Sequence, residues 1–223
     1  MKRFRALMQI NKIQNTLCTG QIDSYASEGS EPITIFQNPI KELCRYLSKA
    51  DVVFGCVYNL NHRELLESFR KTVSCQIITD RENLRNPEWY SDLPCIYSVD
   101  DVLNSEANSK KPLPMGPYWQ NSKDAIYIAK KRGTINMHNK YLVFCKINSD
   151  YRIVPQAVWT GSPNGTYNAN LSYENAVYLP FQKTAIAYLK DYKRIILNSQ
   201  GLSKFTQNLK SVTVKQTDKL ERA

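Results

Sequence analysis

Two largely apolar runs, "DVVFGCVY" at residues 51–58 and "VSCQIITD" at 73–80, constrain this chain more than anything else in it. Neither run alternates between apolar and polar residues, so each reads as a strand buried on both faces, with a layer of structure above and below it. The segments around them have the pattern such layers need. "NPIKELCRYLSKA" reads as a helix, with Asn38 as cap, Pro39 in the first position and Ile40, Leu43, Leu47 and Ala50 at helical spacing. "NHRELLESFRK" reads as a second helix, with Asn61 as cap and Glu64 in the first turn. "PITIF" supplies a strand ahead of both. Strand, helix, strand, helix, strand predicts parallel pairing through right-handed crossovers. The expected fold class is therefore α/β, with a mixed, largely parallel central sheet and helices on both faces.

The second half is less regular at first. "PCIYSV" reads as one more short strand, and "NSEANSKKPLPMGPYW" as a polar, proline-rich loop long enough to overhang a site. Tyr118 and Trp119 at its end read as packing residues. "DAIYIA" and "INMHNKYLVFCKI" are strands separated by a turn at "KKRG", and "NSDYR" turns the chain back into "IVPQAVWTGSPN" as a hairpin. "ENAVYLPF" is a further strand. "TAIAYLKDYKRIIL" is a closing helix, expected to end near "NSQG" with Gly201 in the left-handed conformation. At 223 residues the economical division is a polar extension at 1–30, one domain at 31–202 and a basic tail at 203–223.

The net charge is +10 and the pI about 9.3. That excess points to a polyanionic partner, nucleic acid or an acidic membrane surface. It is densest around one histidine: Lys130, Lys131, Arg132, Lys140, Lys146 and Arg152 lie near His138, against Asp150 alone. The six cysteines form no Cys-x-x-Cys pair and several sit inside apolar runs, the usage of a reducing compartment. With only two histidines, far apart, a metal site has almost no ligands to draw on, and no metal or other cofactor is expected. No segment reaches the roughly 18 apolar residues of a membrane span, and polar Gln9, Asn11 and Lys12 interrupt the basic start before a signal peptide can form. The chain reads as cytoplasmic, without stable membrane insertion.

Three short segments carry the chemistry: His138-Asn139-Lys140, then Gly161-Ser162-Pro163-Asn164, then Glu174-Asn175. In this order, after an alternating α/β half, the sequence resembles the phospholipase D superfamily over about residues 32–200. The resemblance implies a metal-independent phosphodiesterase. A neutral imidazole attacks phosphorus to give a phosphohistidine, and fixed donors meet the charge on the phosphoryl oxygens. It assigns His138, Lys140, Asn164 and Glu174 to catalysis, with Glu174 holding the second imidazole nitrogen. Ser162 either closes its turn or touches substrate, and Lys130, Lys131 and Arg132 are the further substrate-binding candidates.

Such chemistry uses two His-Lys sets, and this chain has one. His62 precedes Arg63 and Glu64 and reads as a solvated residue in the first turn of a helix. Single-motif members of the superfamily complete their centre by pairing two copies, so a homodimer with an isologous interface is expected here. The chain departs from the usual motif at Cys145, where an aspartate is customary; the expected effect is weaker local bracing rather than lost chemistry. Charge and compact form favour a nuclease acting on DNA or RNA. The alternatives are a lipid-acting phospholipase or phosphatidyl transferase, and a catalytically idle nucleic-acid-binding protein of the same fold.

Overall fold

The computed structural model describes residues 31–80, 86–107, 124–129, 137–149 and 152–207. The extension at 1–30, the tail beyond 207, most of the proline-rich loop with Tyr118 and Trp119, and Lys130, Lys131 and Arg132 lie outside the described residues.

The elements run β1 (Ile33–Ile35), α1 (Pro39–Leu47), β2 (Val52–Val57), α2 (Arg63–Arg70), β3 (Ser74–Thr79), α3 (Val99–Ala107), β4 (Ile126–Ala129), β5 (Lys140–Ile147), β6 (Ile153–Gly161), β7 (Ala176–Leu179), α4 (Gln182–Ile196) and β8 (Ser199–Gly201). Short 3-10 turns occupy Pro87–Tyr90 and Tyr167–Asn170. One sheet holds all the strands in the order β1-β7-β6-β5-β2-β3-β4-β8.

The buried runs behave as expected of central strands: every residue of β2 and β3 is buried. Their side chains alternate between two cores. Val53, Val57, Cys75 and Ile77 face α1 and α2, where Leu43, Tyr46, Leu47, Leu65 and Phe69 meet them. Val52, Phe54, Cys56 and Ile78 face α3 and α4, against Val102, Ala185, Leu189 and Tyr192. Helices therefore cover both faces, and the α/β class holds.

The sheet is mixed but largely antiparallel, which corrects the expected parallel majority. Only β2–β3 and β3–β4 are parallel; the other five pairings, β1–β7, β7–β6, β6–β5, β5–β2 and β4–β8, are antiparallel. β1 does not join β2 through the first crossover. Its helix α1 docks under the other half of the sheet, where Tyr46 stacks on Tyr178 of β7 with ring centroids 4.0 Å apart, and β1 becomes the edge beyond β7. Offset aromatic contact of this kind, with the burial behind it, outweighs the local strand–helix–strand pattern.

Other local differences have equally specific causes. "PCIYSV" is not a strand: the Ile96 and Tyr97 N–H groups donate to the Ser74 hydroxyl, 3.0 Å each, in place of a backbone ladder. α3 was not anticipated. It begins where Asp101 accepts from the backbone N–H and the hydroxyl of Ser98, at 2.7 and 2.8 Å, part of a Ser-x-x-Asp start signal. His62 rather than Asn61 is the cap position of α2. Gly201 lies in β8, paired with Tyr127, and does not take the left-handed conformation; the carboxylate of Asp124 occupies the space a side chain there would need. Among the described residues no helix is long and apolar enough to cross a membrane.

Candidate active site

Strand register brings the three sequence segments to one end of the sheet. Val57 at the close of β2 pairs with Lys140 at the start of β5. Tyr141 pairs with Thr160 near the end of β6, and Gly161 pairs with Ala176 at the start of β7. Because β5 and β7 run opposite to β2 and β6, their first residues stand beside the last residues of their neighbours. His138, Gly161–Asn164 and Glu174–Asn175 thus converge although they span more than thirty positions of chain.

His138 is exposed, two residues ahead of β5. Its ring leans on Tyr58, with centroids 4.8 Å apart and planes inclined by 51°. The half-buried Lys140 reaches back over it: Nζ lies 3.3 Å from both Nδ1 and Nε2 and donates to the His138 carbonyl at 3.2 Å. The same ammonium sits 5.4 Å from the centroid of the Tyr58 ring. Burial pushes the Lys140 ammonium below its ordinary lysine value, and the Glu174 carboxylate pulls it partly back. Glu174 therefore belongs to the same electrostatic neighbourhood. It makes no hydrogen bond to His138; its charge acts on Lys140.

A backbone clasp holds Glu174 in place. The Ser162 N–H donates to the Asn175 carbonyl at 2.9 Å, and the Asn175 N–H donates to the Ser162 hydroxyl at 3.0 Å. Of the two roles open to Ser162, this is the turn-closing one. The strands approach so closely here that only glycine fits at 161: a Cβ would stand 2.7 Å from the Ala176 Cα and nearer still to the Asn175 carbonyl oxygen.

Asn164 is half-buried, and its side-chain oxygen is buried without a hydrogen-bond partner among the described residues. Such an atom costs about 1–3 kcal/mol, and native structures keep few of them outside working sites. The next residue, Gly165, ties this segment to the loop after β2. Its carbonyl accepts from the backbone N–H groups of Asn61 and His62, both at 2.8 Å, and Leu60 bridges to it.

Two residues near the site were not counted among its members from sequence. Tyr58 follows a buried strand and becomes a neighbour of His138 only through the β2–β5 register. His62, expected in solvent, is 6 % exposed; it stacks against Tyr167 with centroids 6.1 Å apart, and its Nδ1 has no hydrogen-bond partner among the described residues. The Gly165 contact folds it under the loop. Cys145 is fully buried in the apolar cluster between the sheet and α4. It lies five strand residues from Lys140, roughly 17 Å along β5. The bracing at that far end of the strand comes from Asp51, which accepts from Lys146 Nζ at 3.0 Å and the Ile147 N–H at 2.9 Å.

No protein-family model matches the chain. "Uncharacterized protein L381" of Acanthamoeba polyphaga mimivirus is 26% identical over 227 residues, covering 91% of this chain and 76% of that one. Among solved structures, NucT from Helicobacter pylori matches with a TM-score of 0.51 at 16% identity, over 77% of this chain and 98% of its own. Nuc from Salmonella typhimurium, a phospholipase D family member, gives 0.47 at 15% identity over the same shares. Likeness at this level of identity is likeness of fold: the chain has the fold of NucT.

Proposed function

We propose that this protein is a phosphodiesterase that cleaves nucleic acid through a covalent phosphohistidine at His138, in a metal-independent centre completed by a second copy of the chain. One observation carries the reading: an exposed imidazole with the Lys140 ammonium 3.3 Å from its nitrogens and the Glu174 charge acting on that ammonium. A basic chain of +10 favours a phosphate backbone as substrate.

The chemistry follows from these positions. A diester phosphate draws the Lys140 ammonium from the ring to a phosphoryl oxygen, which frees a ring nitrogen to face phosphorus. A nitrogen–phosphorus bond forms as the phosphorus–oxygen bond to the leaving group breaks, and Lys140 with Asn164 meets the charge on the phosphoryl oxygens. Glu174 acts through Lys140, its carboxylate favouring the charged ammonium beside the imidazole. The leaving oxygen takes a proton from a second imidazole, which then serves as base for the water that releases phosphate from His138.

That second imidazole is the partner copy's equivalent of His138. His62 is 6 % exposed and packed against Tyr167, poorly placed to exchange protons with substrate. Tyr167, Leu171 and Tyr173, between Asn164 and Glu174 in sequence, are 70 %, 74 % and 110 % exposed. Exposed and largely apolar, they supply the surface on which this reading docks the second copy.

The test is cleavage of labelled DNA, RNA and lipid vesicles in excess chelator, run beside His138→Ala. Nucleic acid cut by the parent and left intact by the variant supports the reading. Cleavage of lipid alone, or cleavage unchanged in the variant, overturns it.

A further inference from the structure

Beside the candidate centre lies a cleft of about 320 Å³ that the chemistry above does not use. Asn61, Arg63, Leu66, Glu67, Arg70 and Trp89 line it. It is continuous with the site through the chain itself: the Asn61 N–H donates to the Gly165 carbonyl, one residue from Asn164. From Tyr58, which touches His138, to Arg63 is five residues, at most about 17 Å of extended backbone. That is within the reach of a few nucleotides.

An exposed tryptophan is among the residues that line the cleft. Trp89 is 44 % exposed, and Arg70 anchors its backbone: Nη2 donates to the Trp89 carbonyl at 2.7 Å while Nε pairs with Asp92 at 2.7 Å and Nη1 with Glu67 at 3.1 Å. Arg70 is thereby spent on its own neighbours, Asp92 and Glu67. The guanidinium of Arg63 is different. It is exposed and has no hydrogen-bond or ion-pair partner among the described residues. An exposed guanidinium, an exposed indole and the amide of Asn61, all lining one cleft, are the groups that a phosphate, a base and a base edge or sugar require.

We propose that this cleft is a subsite for a flanking nucleotide of the substrate strand, with phosphate on Arg63 and a splayed base stacked on Trp89. It rests on the nucleic-acid reading of the His138 centre and narrows it to strands whose bases are free to leave the stack. Trp89 reads no sequence, since every base offers a ring face, so the subsite lengthens the footprint without selecting a base.

The experiment measures binding in the His138→Ala background, where cleavage does not interfere. The probes are a fluorescein-labelled dodecathymidylate and the same strand carrying abasic sites throughout. Trp89→Leu is expected to weaken binding to the thymidylate about tenfold and to leave the abasic strand unaffected, because only a base stacks. Arg63→Gln is expected to weaken both and to lower the slope of log affinity against log salt by about 0.7, one phosphate contact. Lys190→Gln, on α4 across the sheet, removes the same charge as a control, and thermal melting verifies that each variant is folded. Parental affinity in both cleft variants, or a loss for Arg63→Gln no larger than for Lys190→Gln, overturns the subsite. The parent's hydrolysis of bis(4-nitrophenyl) phosphate, lost in His138→Ala, tests the centre separately, so a failed subsite and a failed centre give different results. A parent that binds neither strand overturns the subsite as well.

Discussion

Replacing Gly161 by alanine adds one methyl group where β6 and β7 come closest, and the consequence can be worked from the structure. The added Cβ would lie 2.7 Å from the Ala176 Cα, and still nearer the Asn175 carbonyl oxygen, where real contacts essentially never fall below 3.0 Å. Reaching an ordinary carbon–carbon separation of ~3.5 Å requires β7 to retreat by about 0.8 Å. Neither obstacle is a side chain that can rotate away; both are backbone. The retreat opens the Ser162–Asn175 clasp and carries Glu174 with it, away from Lys140. Overpacking of this kind costs about 1–3 kcal/mol, which in a chain of this length lowers the melting temperature by roughly 3–10 °C. A displacement near 1 Å in a charge-positioning group costs on the order of 100-fold in turnover. Differential scanning fluorimetry and initial rates on a labelled oligonucleotide measure the two effects. A Gly161→Ala protein that melts within about 1 °C of the parent and turns over at the parental rate would refute the claim that this contact holds Glu174 at the site.

Further expectations follow from single groups. Burial already depresses the Lys140 ammonium and Glu174 opposes that depression, so Glu174→Gln moves the Lys140 titration to lower pH, further below the ordinary lysine value; a carbon-13 titration of the lysine Cε resonance reads this, and an upward shift contradicts it. Because Lys140 acts as a cation, the alkaline limb of the rate profile falls at lower pH in that variant too. Cys145→Asp restores the residue customary in the superfamily but places a carboxyl at a fully buried position among apolar neighbours, for a loss of about 3 kcal/mol seen as a lowered denaturant midpoint. A variant as stable as the parent would mean that a partner for the aspartate exists there. His62→Phe keeps the stack on Tyr167 and deletes an unpaired buried nitrogen, so melting temperature is held or raised and cleavage persists; loss of cleavage comparable to His138→Ala would make His62 the missing proton donor.

What the sequence made legible is what short-range pattern determines. β2 and β3 announced themselves as unbroken apolar runs, and α1, α2 and α4 as helical repeats. His138, Lys140 and Glu174 could be placed together because their segments fall in a known order at strand ends. The sheet's strand order was not legible, because β1 reaches the far edge through packing of Tyr46 on Tyr178, a contact between residues 132 positions apart. α3 had a signal, Ser98 followed by Asp101, that the polar residues after it obscured. Tyr58 had none: nothing in "CVYNL" indicates that β2 will lie against β5 in the register that sets Val57 opposite Lys140. His62 looked solvated because its neighbours Arg63 and Glu64 are charged; the Gly165 carbonyl that pulls its backbone inward lies a hundred residues later.

The most direct test of a centre made by two chains is activity as a function of mixing. Parent and His138→Ala protein are unfolded together, refolded so that subunits redistribute at random, and assayed in chelator at constant total protein. If each phosphate needs an imidazole from both copies, a mixed dimer is dead and activity follows the square of the parental fraction, about a quarter of full rate in an equal mixture. Activity that falls in direct proportion, to about half in the same mixture, would mean that each chain works with its own His138 alone, and the shared centre would be wrong.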